Sequence, residues 1–167
     1  IYNTHIYAYD LAGNSINYPV VIEVPPVLSE TPAAGPVEEN TYFIASSLNQ
    51  NYVLDVSGIS LDNRANIQLW NTLGSSKNQM WKISDADGDG YYTIISVNSG
   101  KALDAADAGT TDGTNVQQYE FNGSDAQLWK LEENTDGTYR IINKNSGLSL
   151  DLDGGILANG QNIHLYT

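Results

Sequence analysis

The sequence predicts an all-β fold built as a closed array of three similar units, and three observations carry that prediction. A Leu-Asp pair recurs at Leu54-Asp55, Leu103-Asp104 and Leu150-Asp151. Eleven residues after each Asp an Asn opens a short strand, at Asn66, Asn115 and Asn162. No stretch has the 3.6-residue periodicity of a long helix, while short β-rich runs alternate with Gly/Asn-rich turns. Regular self-similarity of this length is the signature of an array of one structural unit.

Each unit opens on an aromatic-aliphatic strand: Tyr42-Phe43-Ile44-Ala45, Tyr92-Thr93-Ile94-Ile95 and Tyr139-Arg140-Ile141-Ile142. A polar turn follows, then the Leu-Asp strand, a Gly/Asn-rich loop and the Asn-opened strand. The first two units close on Gln79-Met80-Trp81 and Gln127-Leu128-Trp129. The third reaches Thr167 without that strand, so an exposed edge and an unfilled core position are expected there.

Upstream, residues 4–10 alternate with period two and predict a strand. Asn17 to Val24 predict a second, ended by Pro25-Pro26 because proline cannot donate to a ladder. Two strands do not make a stable domain, so residues 1–26 are expected to be the end of a larger sandwich. Residues 27–39, rich in Pro, Ala, Glu and Gly, predict a semi-extended linker. Residues 40–167 are the expected repeat domain.

Composition excludes several function classes. Of the 167 residues, 20 are acidic and 7 basic, a net charge of −13. Such a surface repels phosphate backbones and anionic lipid, so neither nucleic acid nor a membrane is an expected partner. No apolar run is long enough to span a bilayer. Cysteine is absent, which removes disulfides and thiolate metal sites. Tyrosine (11) far outnumbers phenylalanine (2); rings with polar tips suit a surface for polar ligands.

A carboxylate, amides and an aromatic at fixed offsets suit a polyhydroxylated ring. In the first unit Asp55 is an acceptor for sugar hydroxyls, Trp70 offers a flat face for the C–H side of a pyranose, and Gln68, Asn78 and Gln79 supply amides. The second unit keeps Asp104, Gln117, Tyr119 and Gln127 but has Ala126 in place of Asn78. The third has Asp151, His164 and Tyr166. A Leu-Asp carboxylate also serves a fold by holding loop N–H groups, so structural and binding roles both attach to these residues. Asp85 to Gly90 fits the first half of an EF-hand loop, but Ser96 stands where a bidentate Glu is needed. A hairpin turn is expected instead. No cofactor or metal is called for, and no motif sets a nucleophile beside a base.

The three units resemble the β-trefoil lectin domain of ricin B-chain type, also called carbohydrate-binding module family thirteen. The resemblance covers residues 40–167 and rests on Leu-Asp, the Asn-opened strand and Gln-x-Trp together. It implies a β-trefoil in which Trp81 and Trp129 pack in the pseudo-threefold core. It also implies a galactose-type pocket formed by Asp55, Gln68, Trp70, Asn78 and Gln79. The expected partners are glycans ending in galactose or N-acetylgalactosamine, or a polysaccharide such as xylan. The expected setting is a non-catalytic module of a larger secreted or surface protein, with covalently linked upstream domains, from a Gram-positive bacterium. A trefoil with inactive pockets that serves structure or protein contact is the competing reading. Residues 7–14 resemble the end of a GBS Bsp-like repeat, an immunoglobulin-like bacterial module.

Overall fold

The computed structural model describes the backbone of residues 6–10, Val37, and residues 39–167. The strands are β1 (Ile6–Asp10), β2 (Asn40–Ser46), β3 (Asn49–Val56), β4 (Ile67–Asn71), β5 (Trp81–Asp85), β6 (Tyr91–Ser96), β7 (Ala102–Ala105), β8 (Val116–Tyr119), β9 (Trp129–Glu133), β10 (Tyr139–Asn143), β11 (Ser149–Leu152) and β12 (Gln161–Tyr166). Every helical segment among the described residues is a single 3-10 turn. None is long and apolar enough to cross a membrane.

Pairing defines the architecture. The first and last strands of each unit form a ring, in the order β2–β5–β6–β9–β10. β1 closes it by pairing with both β10 and β2. The middle strands form three hairpins, β3–β4, β7–β8 and β11–β12. This is a β-trefoil. Closure leaves the ring no free edge, which is how such all-β folds avoid edge-to-edge pairing.

Register explains how β1 does this. Trp81 stands opposite Tyr42 and Ser96, and Trp129 opposite Tyr92 and Asn143. Ile6 stands opposite Tyr139 and Ser46, the third instance of the same register. The ring position left vacant by the third unit is therefore occupied by β1, and the expected open edge is replaced by a paired one. The expected second strand, Asn17 to Val24, and most of the linker lie outside the described residues.

Trp81 and Trp129 are both 0% exposed, as expected. Their indole N–H groups donate to the carbonyls of Leu54 (3.3 Å) and Leu103 (3.0 Å), so burial leaves no orphaned donor. Around them pack Ile44, Leu54, Ile83, Ile94, Leu103 and Leu150, the inward residues of alternating strands. The loop at Asp85–Gly90 is a hairpin turn whose carboxylates serve its own backbone. Asp85 accepts from the N–H of Asp87 (3.1 Å) and of Gly88 (2.6 Å), and Asp89 from that of Tyr91 (3.1 Å).

Near the pseudo-threefold axis the three Asn residues that open β4, β8 and β12 form a closed ring of amides. Asn66 donates to Asn162 (2.9 Å), Asn162 to Asn115 (3.0 Å) and Asn115 to Asn66 (2.8 Å). The same residues bridge neighbouring units, pairing Asn66 with Gln117, Asn115 with His164 and Asn162 with Gln68. Each amide thus fixes two units against each other two residues before a candidate site residue.

Candidate functional site

The hairpin register builds the same hollow three times. Asp55 lies directly across the ladder from Gln68, Asp104 from Gln117 and Asp151 from His164. Because strand side chains alternate, the residue two positions on faces the same way. That residue is Trp70, Tyr119 or Tyr166. The hollows measure ≈350 Å³ at Asp55, ≈220 Å³ at Asp104 and ≈330 Å³ at Asp151. Asp55, Gln68, Trp70 and Asn78 share the first, Asp104, Gln117 and Tyr119 the second, and Asp151, His164 and Tyr166 the third.

In the first hollow Asp55 is only 4% exposed and is held by three side-chain amides. Gln68 donates to Oδ1 at 2.9 Å; Asn78 and Gln79 donate to Oδ2 at 2.7 and 3.0 Å. A carboxylate has about four acceptor positions, so these bonds leave room for about one ligand hydroxyl. Burial pushes the Asp55 carboxyl above its ordinary range, opposed by the bonds from Gln68, Gln79 and Asn78. Trp70 is half-buried, with its ring on the hollow wall.

Two sequence-derived site residues do not line a hollow. Gln79 and Gln127 are both 0% exposed. Besides Asp55, Gln79 donates to the carbonyl of Asn71 (3.1 Å) and accepts from the Leu73 N–H (2.9 Å). Gln127 spans its loop likewise, donating to Glu120 O (3.0 Å) and accepting from Asn122 N–H (2.8 Å). Both are enclosed: Gln127 ties loop backbone, and Gln79 divides its amide between loop backbone and the Asp55 carboxylate. Asn78 still lines the hollow, yet its amide N–H groups go to Asp55 and to Val56 O (3.3 Å).

The second hollow is less braced. Asp104 accepts from Gln117 at 2.8 Å. Burial raises its carboxyl, bonds from Gln117 and Gln127 lower it, and the charge of Asp107 raises it further. In the third, His164 Nε2 lies 3.0 Å from Asp151 Oδ2, and its ring stacks on Tyr166 with centroids 5.8 Å apart. Tyr166 is 44% exposed, an open wall for a ring-shaped ligand.

A family model described as Ricin-type beta-trefoil lectin domain-like matches residues 33–119 and again 77–166. The chain belongs to this family. Family and fold together support carbohydrate binding in general. As a ricin-type trefoil, the chain is similar to the designed threefold-symmetric protein ThreeFoil, at 37% identity and TM-score 0.67, covering 70% of this chain and 81% of that one. It is similar to the exo-beta-1,3-galactanase 1,3Gal43A of Clostridium thermocellum, at 34% identity and TM-score 0.70, covering 80% of this chain but only 28% of that enzyme. The Rhizoctonia solani agglutinin shares the fold, at 20% identity and TM-score 0.70, covering 81% and 90% of the two chains. No curated protein sequence matches the chain.

Two residues at the second hollow were not singled out in the sequence: Arg64, from the loop before β4, and Asp107, from the 3-10 turn after β7. The signal for them lies in the repeat itself. Aligned on the Asp and Asn positions, Arg64 falls on Gly113 and Gly160, and Asp107 on Gly58 and Gly154.

Proposed function

We propose that this ricin-type module binds galactose- or N-acetylgalactosamine-type glycans without catalysing their conversion, and targets a larger secreted or surface protein of a Gram-positive bacterium to them. The observation that carries the reading is the threefold recurrence of one hollow: a carboxylate on the floor, buried at Asp55 and Asp104 and half-buried at Asp151, a cross-strand amide or imidazole beside it, and an aromatic ring on the wall. The carboxylate offers a charge-assisted acceptor to a hydroxyl, and the ring covers the apolar face of the sugar. The similarity of the trefoil to part of an exo-galactanase supports galactose as the sugar.

A hexose has about a dozen heavy atoms, and at roughly 0.3 kcal/mol per atom each hollow binds near the millimolar range. Repetition on one module raises avidity for clustered glycans. The test is a titration with galactose, N-acetylgalactosamine and xylo-oligosaccharides, followed by NMR of the Trp70 indole. Saturable shifts with the galactosides, abolished in Asp55→Ala, support the proposal. Shifts with the xylo-oligosaccharides alone move the specificity to xylan. Silence toward all sugars, with capture of a defined protein partner, replaces it with the interaction reading.

A further inference from the structure

Resting on the sugar-binding reading, we propose that the second hollow is an extended site that holds two consecutive neutral sugar residues, with the Arg64–Asp107 pair gripping the second. The pair distinguishes this hollow from its sisters. Arg64 has φ +69° and Asp107 φ +52°, both in the left-handed region that favours glycine. The four aligned positions are all glycine with positive φ: Gly113 (+83°) and Gly160 (+84°) for Arg64, and Gly58 (+66°) and Gly154 (+64°) for Asp107.

The backbone at the first of these positions is the same in every unit. Arg64 N–H donates to Gln118 O at 2.8 Å, Gly113 N–H to Leu165 O at 2.8 Å and Gly160 N–H to Leu69 O at 2.9 Å. The position therefore abuts the site strand of the next unit. A Cβ built at Gly160 lies 3.8 Å from the Trp70 ring and 3.9 Å from Gln68 Oε1. A side chain there is aimed at the neighbouring hollow, and in one unit of three that side chain is an arginine.

Stability does not account for the two substitutions. A side chain in the left-handed region is strained where glycine is not. The ion pair that results is long, 3.4 Å, with side chains 67% and 80% exposed, and such pairs contribute little. Strain kept at the mouth of a candidate site points to use there. Both residues line the hollow with Asp104, Gln117 and Tyr119. With one sugar on Asp104 and Tyr119, the guanidinium offers a fork of donors at the rim and Asp107 an acceptor beside it. That combination matches adjacent hydroxyls on the next residue of a chain. It does not favour an acidic sugar, because Asp104 on the floor and Asp107 on the rim outnumber the one guanidinium.

The experiment titrates the protein with methyl β-galactoside, β-1,3-galactobiose and methyl galacturonide, reading Tyr119 for the second hollow and Trp70 for the first. The double variant Arg64→Gly/Asp107→Gly installs the residues of the sister copies. At Tyr119 the preference for disaccharide over monosaccharide is expected to be about ten-fold in the wild type and to fall to that at Trp70 in the variant, while the preference at Trp70 stays put. Thermal unfolding verifies that the variant folds, as relief of left-handed strain predicts. A Tyr119 preference equal to that at Trp70 in the wild type, or unchanged in the variant, overturns the extended site. Galacturonide binding tightest at Tyr119, and losing that advantage in Arg64→Gly, overturns it in favour of one acidic sugar. If Trp70 responds and Tyr119 does not, the extended site alone fails; if neither responds, the sugar-binding reading fails with it.

Discussion

Replacing Asp55 by alanine tests the first hollow as structure and as binding site at once. The carboxylate takes bonds from Gln68, Asn78 and Gln79. After its removal Gln79 keeps Asn71 O at 3.1 Å and Asn78 keeps Val56 O at 3.3 Å, whereas the bond to Asp55 is the one found for Gln68 Nε2. Each amide thus loses the acceptor of one N–H; those of Gln68 and Asn78 line the hollow, where water can take its place, and the enclosed Gln79 strands one buried donor, at a cost of about 1–3 kcal/mol. Part is returned because burial disfavours the charged carboxyl, as its raised pKa records. A net loss of about 1–2 kcal/mol lowers the thermal midpoint by roughly 3–8 °C in a domain of this size, and leaves a protein of ordinary stability folded. Binding fares worse: a charge-assisted bond of about 1.5–3 kcal/mol is ten- to a hundred-fold in affinity, enough to take a millimolar site out of range. Urea unfolding and an NMR titration on Trp70 measure the two effects on one sample. Unchanged galactose affinity at Trp70 in a folded variant refutes the role given to the carboxylate. Complete unfolding refutes the account of how the three amides share their bonds.

Trp129→Ala removes a wholly buried indole and its bond to Leu103 O, and urea unfolding should register a loss of about 3–5 kcal/mol. Asn66→Ala breaks two of the three bonds in the axial ring, at about 1–2 kcal/mol by the same measurement. Asp55 and Asp104 both have raised pKa values, so sugar affinity should fall on acidification at a pH above the ordinary aspartate range, seen by titration at stepped pH. Their stability contribution has the opposite sign: it is full below the unfolded-state pKa and lost as pH rises through the folded one, which urea midpoints of wild type and Asp55→Ala across that window will show. Tyr9→Pro removes a ladder donor from β1, since Tyr9 stands opposite Phe43 as Ser84 stands opposite Thr93, in phase with the bond from Ala86 N–H to Tyr91 O; a cost of about 2–4 kcal/mol is expected if β1 closes the ring, and almost none if it does not.

Much of the fold was legible because it repeats. The Leu-Asp, Asn and Gln-x-Trp offsets located the strands of each unit, and the burial of Trp81 and Trp129 followed from the family pattern. The role of β1 was not legible. Residues 4–10 read as a strand, but nothing local says which sheet receives it; that depends on a vacancy more than 120 residues away in sequence. The site residues were named from side-chain chemistry alone, which does not tell a wall from a brace. Gln79 and Gln127 carry the same amide as Gln68 and Gln117, yet they are enclosed and bond loop carbonyls and N–H groups, with Gln79 bracing Asp55 from behind as well. The axial Asn ring escaped because each Asn reads as a strand opener until three units converge.

The same aspartate does two jobs in this fold, and the units divide them differently. At Asp55 three amide bonds fix the carboxylate and leave about one acceptor position, so the first hollow trades bonding capacity for rigidity. At Asp104 the counterpart of Asn78 is Ala126, which removes one brace and frees an acceptor position. What reads in the sequence as a lost ligand contact is, in the structure, a carboxylate with more capacity for hydroxyls. Arg64 and Asp107 stand at that same hollow, the one with the freer floor and the charged rim. At Asp151 the cross-strand amide becomes His164, stacked on an open Tyr166. The Asn ring and hairpin register hold the three floors in one geometry, so these differences fall on side chains and not on backbone. A repeated scaffold with unequal rims lets one module engage different positions along one glycan, and each hollow can be silenced alone at its aspartate to measure its share.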